Sequence, residues 1–342
     1  MSSVVTGAAA PQTWIRGPVA DLFSSYIAAS ALSAAHELGL LDRLAATGTA
    51  AYDGSDDGGL DGRVVRALYA ALDWAEVVVI ADDRTVSPGP RFDEAYAARG
   101  YFYWLVRGCG EVLTVAPALA WERNRTGEFY HRDMRAVALG SRLIGDTEVE
   151  ALFDTVLAKR PAGKVVDLGC GSGQRLIRIA GNHAATECIG VDIAADAVRL
   201  ATAAVSDADL TGRIAIHHAD ARELDPIPAY STVDTVTCVF MGHDFWPYES
   251  CVRTLRRLRS AFPAVERLLL CDVTRTSEPP GPQTTIFTLG FELMHALMGV
   301  YVPTFAEWQR AFAAGGWTCV AVHPTVAPPN GYLFELAPAL KP

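Results

Sequence analysis

The stretch KVVDLGCGSG, residues 164–173, decides the fold. Lys164 to Leu168 is a short apolar run rich in β-branched residues, the pattern of a buried parallel strand. Gly169, Gly171 and Gly173 follow as a turn in which backbone approaches a ligand without an intervening Cβ. Gln174 to Ala180 (QRLIRIA) then takes up helical periodicity. Strand, glycine turn and helix N-terminus together form a nucleotide-binding corner. An acidic residue is expected to end the next strand about 20 positions on, where it takes ribose hydroxyls. Asp192, closing CIGVD, lies 19 residues after Gly173.

The spacing G-x-G-x-G, with Asp167 two residues ahead of the first glycine, departs from the dinucleotide fingerprint G-x-G-x-x-G. In this it resembles motif I of the class I S-adenosylmethionine-dependent methyltransferases. The resemblance implies that Asp167, Gly169 and Gly171 order the loop around the methionine end of that cofactor. It also implies that Asp192, with Ile193 beside it, holds the ribose. A third strand at Ile214 to His218 runs into Ala219-Asp220-Ala221, where the resemblance puts adenine against Asp220 and Ala221.

Outward from that corner, strands are expected at 164–168, 187–192, 213–218, 233–240, 265–272, 317–323 and 332–336. They alternate with helices at 172–181, 194–206, 246–261 and 304–315. The pattern is doubly wound α/β, Rossmann-like, with the last strand short enough to be an antiparallel insertion. One extra helix, Thr285 to Val300, interrupts the alternation, and a helix at Asp146 to Arg160 leads into the sheet. Upstream, amphipathic helices are expected over Val19 to Leu44, with Ile27, Leu32, His36, Leu38, Leu40 and Leu41 turned inward. Ala50 to Leu60 reads as a loop, Arg63 to Trp74 as a helix, and Val77 to Val86 as a small hairpin. This is a winged-helix-like order. Phe92 to Trp121 is aromatic-rich and reads as two helices broken at Gly108-Cys109-Gly110. Three parts follow: a dimerisation domain at 1–90, a helical connector roofing the active site at 91–160, and the methyltransferase domain at 161–342.

Composition narrows the function. The 342 residues carry a net charge of −10, and only three lysines occur, Lys159, Lys164 and Lys341. A phosphate-binding face is disfavoured by that balance. The winged-helix-like helix offers only Arg63 and Arg66, and its wing is acidic at Asp82 and Asp83, so nucleic acid is not the expected partner. Seven scattered cysteines, an odd number without C-x-x-C spacing, argue against a disulfide framework and suit the cytoplasm. No apolar run approaches membrane-spanning length.

Chemistry is expected at the carboxyl ends of the strands. The fourth strand runs into Met241-Gly-His243-Asp244-Phe-Trp246, which sets His243 and Asp244 at the rim. The segment resembles the H-D-W motif of small-molecule O-methyltransferases, where the histidine is a general base. The longer run MGHDFWPYESCVRTLRRLRSAFP, with NRTGEFY at 124–130 and FTLGFELMH at 287–295, resembles a narrower family. That family is the metal-dependent phenylpyruvate and 4-methyl-2-oxopentanoate C3-methyltransferases of peptide-antibiotic pathways. The resemblance implies that His243 and His295, 52 residues apart, hold one ion, with Fe or Zn expected and other divalent ions admissible. A 2-oxo acid gripped through carboxylate and keto oxygen needs only two protein ligands beside it. Glu292 precedes His295 by one helical turn, a spacing at which E-x-x-H can supply two ligands, and a supporting or solvent-facing role is expected of it.

The same resemblance points to Arg132 for the substrate carboxylate, with Arg125 as rival and a surface ion pair to Asp133 as the alternative use of Arg132. Trp104 and Cys109 match pocket-lining positions, and Phe240 and Met241 adjoin them. Cys109 and Phe240 differ from the phenylpyruvate enzyme, so its side-chain preference is not carried over. The expectation is a cytoplasmic homodimer that methylates C3 of a 2-oxo acid, in the biosynthesis of β-methylated amino acids for secondary metabolism. The rival enzyme is a metal-independent O-methyltransferase with His243 as base. The rival of another class is a non-catalytic regulator that senses the cofactor.

Overall fold

The computed structural model describes residues 17–55, 58–276, 286–325 and 330–339. The chain divides into two compact units: Met1–Glu111 with Arg132–Ile144, and Val112–His131 with Gly145–Pro342.

In the first unit, α1 (Pro18–Glu37) starts on a proline, whose fixed φ and missing N–H suit a first turn. Left-handed Gly39 separates it from α2 (Leu40–Thr47). The chain then runs through β1 (Ala50–Ala51), α3 (Gly62–Trp74), β2 (Val78–Ile80) and β3 (Thr85–Pro88). Asp61 caps α3 by accepting from the Arg63 N–H. The strands form one antiparallel sheet in the order β1-β3-β2. β1 lies in the segment read from sequence as a loop, because two residues carry no periodicity. Leu32, Leu40 and Leu41 are buried with Val65, Tyr69 and Leu72. Ile27 and Leu38, expected inward, are instead exposed.

After α4 (Phe92–Phe102) comes a π-helical turn, Tyr103–Gly108, in which the Cys109 N–H donates to the Trp104 carbonyl. The widened turn runs to Gly108, and the helix breaks at Cys109, where the sequence places it. Two short helices, α5 (Gly110–Thr114) and α6 (Ala116–Leu119), lead onward. A longer helix that the sequence reading did not anticipate, α7 (Met134–Glu148), returns to the first unit. Its Gly140 lies so close to Trp104 that a Cβ there would sit 2.8 Å from the tryptophan Cβ.

The second unit holds α8 (Glu150–Lys159), β4 (Lys164–Leu168), α9 (Gln174–Asn182), β5 (Glu187–Asp192), α10 (Ala195–Asp207) and β6 (Ile214–His218). It continues with β7 (Thr235–Val239), α11 (Tyr248–Ala261), β8 (Arg267–Val273), α12 (Ile286–Met298), α13 (Phe305–Ala314), β9 (Trp317–Pro324) and β10 (Gly331–Pro338). The seven strands lie in the order β6-β5-β4-β7-β8-β10-β9. Only β10 is antiparallel to its neighbours, as expected of the last strand. Successive residues of a strand face opposite helical layers. Val166 and Leu168 join Leu255, Trp308 and Phe312, while Val165 joins Phe153, Leu176 and Ile179. Burial on both faces is why these strands read as continuous apolar runs. The order reverses between β4 and β7, which puts the binding crevice at their carboxyl ends. No described helix is long and apolar enough to cross a membrane.

Candidate active site

The glycine turn after β4 has left-handed φ at Gly169, Gly171 and Gly173, angles of 69°, 54° and 75° that a side chain would strain. The place of a Cβ on Gly169 is filled by Met241, whose side chain would lie 3.1–3.3 Å from it, so the β7 end roofs the turn. Asp192 closes β5 and accepts from the Gly171 N–H at 2.9 Å and the Ala194 N–H at 2.8 Å. Ile193 beside it is exposed, an apolar surface next to the strand ends. Asp220 is held by a two-pronged pair with Arg222, the guanidinium 2.7 Å away, which lowers its carboxyl below the usual range. Ala221 behind it is buried.

Asp167 is fully buried beneath this turn. It accepts from the Thr237 hydroxyl at 2.6 Å and faces Arg175 at 3.4–3.5 Å. Arg175 in turn pairs with Glu150 at 2.7 Å. Burial pushes the carboxyls of Asp167 and Glu150 upward, and Arg175 opposes the shift in both. Arg175 and Glu150 were not read from the sequence. Their charge inside an apolar helix pattern was the available signal, since a buried ion demands a partner.

At the end of β7 the backbone bends sharply. Phe240 adopts φ 52°, a left-handed angle that is costly for a bulky residue. The bend delivers a 3₁₀ turn, Gly242–Phe245, in which His243 is buried and Asp244 exposed. Asp272 on β8 holds His243. Its carboxylate accepts the His243 backbone N–H at 2.8 Å and lies 2.9 and 3.1 Å from the ring Nδ1. A carboxylate only accepts, so Nδ1 carries the proton and Nε2 of the neutral ring carries the lone pair. Gly242 permits this approach, because a Cβ there would lie 3.0 Å from Asp272 Oδ2. Asp272, which sequence reasoning did not single out, is the carboxylate that orients His243. One carboxylate inside the apolar strand RLLLCDV was the overlooked signal.

His295 on α12 meets His243. Their ring centroids are 4.9 Å apart and the planes perpendicular. His295 Nδ1 donates to the Phe291 carbonyl at 2.7 Å, which assigns its lone pair to Nε2 as well. Imidazoles sharing one ion through nitrogens at about 2.0–2.1 Å have centroids on the order of 5 Å apart. Donation from the other ring nitrogen to a carboxylate or carbonyl is the usual support of a ligating histidine. A shared ion would require this centroid spacing and these Nδ1 donors, and the pair has both. Among the described residues no group of three or more His, Cys, Asp or Glu side chains converges on an ion position. Glu292, expected to support the site, turns to Thr276, accepting from its N–H at 2.6 Å and its hydroxyl at 3.0 Å.

The remaining candidates fall in two places. Arg125, in the second unit, donates through Nε to the Leu119 carbonyl at 2.7 Å and so fastens its own loop. In the first unit, Trp104 is buried within the π turn. Cys109 is fully buried beside Arg132, and burial pushes its thiol up to about 11 against the pull of that guanidinium. Asp133 pairs with Arg107 at 3.0 Å.

Residues 165–263 match the model of a methyltransferase domain. The chain is 39% identical over 330 residues to the methyltransferase ungE' of Aspergillus campestris, covering 93% of this chain and 96% of the relative. It is 33% identical over 200 residues to an indolepyruvate C-methyltransferase of Streptomyces griseus, 58% of each chain. Among solved structures, the mitomycin 7-O-methyltransferase MmcR superposes with a TM-score of 0.70 at 19% identity, over 94% of this chain and 97% of that one. That likeness shows the shared fold, a Rossmann-like domain with an N-terminal helical arm. With the glycine turn, Asp192 and the strand order already placed, the chain belongs to the S-adenosylmethionine-dependent class I methyltransferases.

Proposed function

We propose that this methyltransferase transfers the methyl group to C3 of a 2-oxo acid, with His243 and His295 as the two protein ligands of an ion that the substrate chelates. The observation that carries the reading is the histidine pair itself, both Nδ1 atoms occupied as donors and the rings 4.9 Å apart. The likeness to an indolepyruvate C-methyltransferase points the same way. A bound divalent or ferric ion would supply Lewis-acid polarisation of the keto and carboxylate oxygens.

The chain's residues do the rest. Asp272 fixes the His243 tautomer and the Phe291 carbonyl fixes that of His295. Met241 and the glycine turn bound the place of the cofactor, with Asp192 and Ile193 beside the ribose and Asp220 and Ala221 at adenine. Asp244, exposed beside His243, supports the site, and Arg132 is the candidate anchor for the substrate carboxylate through its planar fork. The product is a β-methylated 2-oxo acid, a precursor of β-methylated amino acids in secondary metabolism.

The same arm also suggests assembly. α1 exposes Val19, Leu22, Phe23, Tyr26 and Ile27, next to a groove of about 410 Å³ in the first unit. An apolar face of this kind marks an interaction surface, and a second copy of the chain is the occupant we propose, in the cytoplasm.

The His243–Asp272 pair also favours a second reading, in which His243 acts alone as general base toward a hydroxyl. Stripping with a chelator and adding ions back separates the two. The 2-oxo acid reading predicts loss and recovery of activity, and loss of both ion and activity in His243→Ala and in His295→Ala. Full activity in the stripped enzyme, with His295→Ala near wild type, sends the assignment to the O-methyltransferase.

A further inference from the structure

The two histidines come from segments far apart in sequence, so something must fix their separation. Strand β8 is the common reference. Its Asp272 grips His243 by ring and backbone. Four residues on, Thr276 is gripped from α12, where both oxygens of Glu292 accept, Oε1 from the Thr276 N–H and Oε2 from its hydroxyl. Glu292 stands one helical turn before His295.

The segment that Glu292 clasps is itself anchored. The Thr274 N–H and hydroxyl both donate to the Asn330 carbonyl, and the Arg275 N–H donates to that of Pro303. Arg275 Nε donates to the Val302 carbonyl. At the other end of α12, left-handed Gly299 closes the helix, with the Val300 N–H on the His295 carbonyl and the Gly299 N–H on Ala296. That pair of bonds is the Schellman arrangement, which fixes the last turn. His295 thus sits between a C-terminal lock and a carboxylate clasp, and the clasp runs to the segment that directly continues the strand holding His243.

We propose that Glu292 is the positioning residue that sets His295 opposite His243, through its clasp on Thr276, three residues beyond the end of β8. The inference rests on the ion reading above. Ligand distances tolerate only about ±0.2 Å, so a helix free to shift along the sheet weakens the site without removing a ligand. Glu292 makes no claim on the ion itself. Its charge is therefore dispensable while its hydrogen-bonding shape is not. In Glu292→Gln the amide oxygen still accepts from the Thr276 N–H, and the amide nitrogen donates to the hydroxyl oxygen.

The test is titration of the stripped full-length protein with Co(II), read by its visible absorption, for wild type, Glu292→Ala and Glu292→Gln. Calorimetry with S-adenosylhomocysteine on each variant controls for the fold. Glu292→Ala is expected to bind Co(II) about 10–100-fold more weakly with an altered band shape, and Glu292→Gln to stay within about threefold of wild type. Binding of the thioether should be unchanged in both. Wild-type affinity in Glu292→Ala overturns the inference. So does a loss in Glu292→Gln as large as in the alanine variant, which would make the carboxylate charge a direct participant. If Glu292→Ala does not fold, Glu292→Gln decides on the same criterion. Absence of Co(II) binding in wild type overturns the ion reading instead, an outcome distinct from either of these.

Discussion

Asp272 is the residue on which the site turns. One buried carboxylate receives the His243 backbone N–H, the His243 ring and the Val273 N–H. Removing it strands buried donors, each at a cost of about 1–3 kcal/mol. Asp272→Ala should therefore lower stability by roughly 2–4 kcal/mol in urea denaturation, and it should abolish turnover even where the protein is still folded. A variant with wild-type turnover would show that the His243 tautomer is not set from β8. The sequence exposed His243 through its place at a strand end, but it concealed Asp272. A strand position says which face a side chain takes, not which loop will fold over it. Arg175 was hidden for the same reason, since its partners Asp167 and Glu150 lie 8 and 25 residues from it along the chain.

At the scale of elements, periodicity carried far. Every expected strand of the large sheet formed, within two or three residues of its ends, and β10 took the antiparallel place expected of it. The extra helix also formed, as α12 over Ile286–Met298. Legibility failed where local pattern is weak or backbone is unusual. β1 has two residues, and the π turn at Tyr103–Gly108 obeys neither helical nor strand spacing. The bend at Phe240 has no sequence mark, because the left-handed angle falls on a bulky residue rather than a glycine. α7 was passed over although its Gly140 is what admits Trp104. Ile27 is exposed where Leu32 on the same helix is buried, so periodicity named the helix but not which apolar positions face the core.

For the molecule as a whole, the cysteines give a pH signature. All seven are free. Burial pushes the Cys109 thiol from its ordinary value of 9.0 up to about 11, and those of Cys188 and Cys251 up to about 12. The folded state thus favours the neutral thiol. This contribution is complete below about pH 9, where unfolded thiols are still protonated. It is lost as pH rises toward 11–12, because the unfolded chain releases those protons first. Melting temperature should hold steady from about pH 7 to 8.5 and then fall, with the fall blunted in Cys188→Ala once the lower starting stability is allowed for. A flat profile to about pH 10.5 would show that these thiols ionise as readily folded as unfolded.

The central claim, transfer of a methyl group to carbon at a site built on His243 and His295, is tested most directly by where the methyl goes. The purified enzyme is given S-adenosylmethionine labelled with ¹³C in its methyl group, together with 4-methyl-2-oxopentanoate, phenylpyruvate, indolepyruvate and a catechol in separate reactions. Carbon NMR of the products then reads the bond formed. The account predicts a ¹³C methyl bonded to C3 of at least one 2-oxo acid, coupled to that carbon's proton. A label found only as a methoxyl group on the catechol, with every 2-oxo acid returned unchanged, would contradict it.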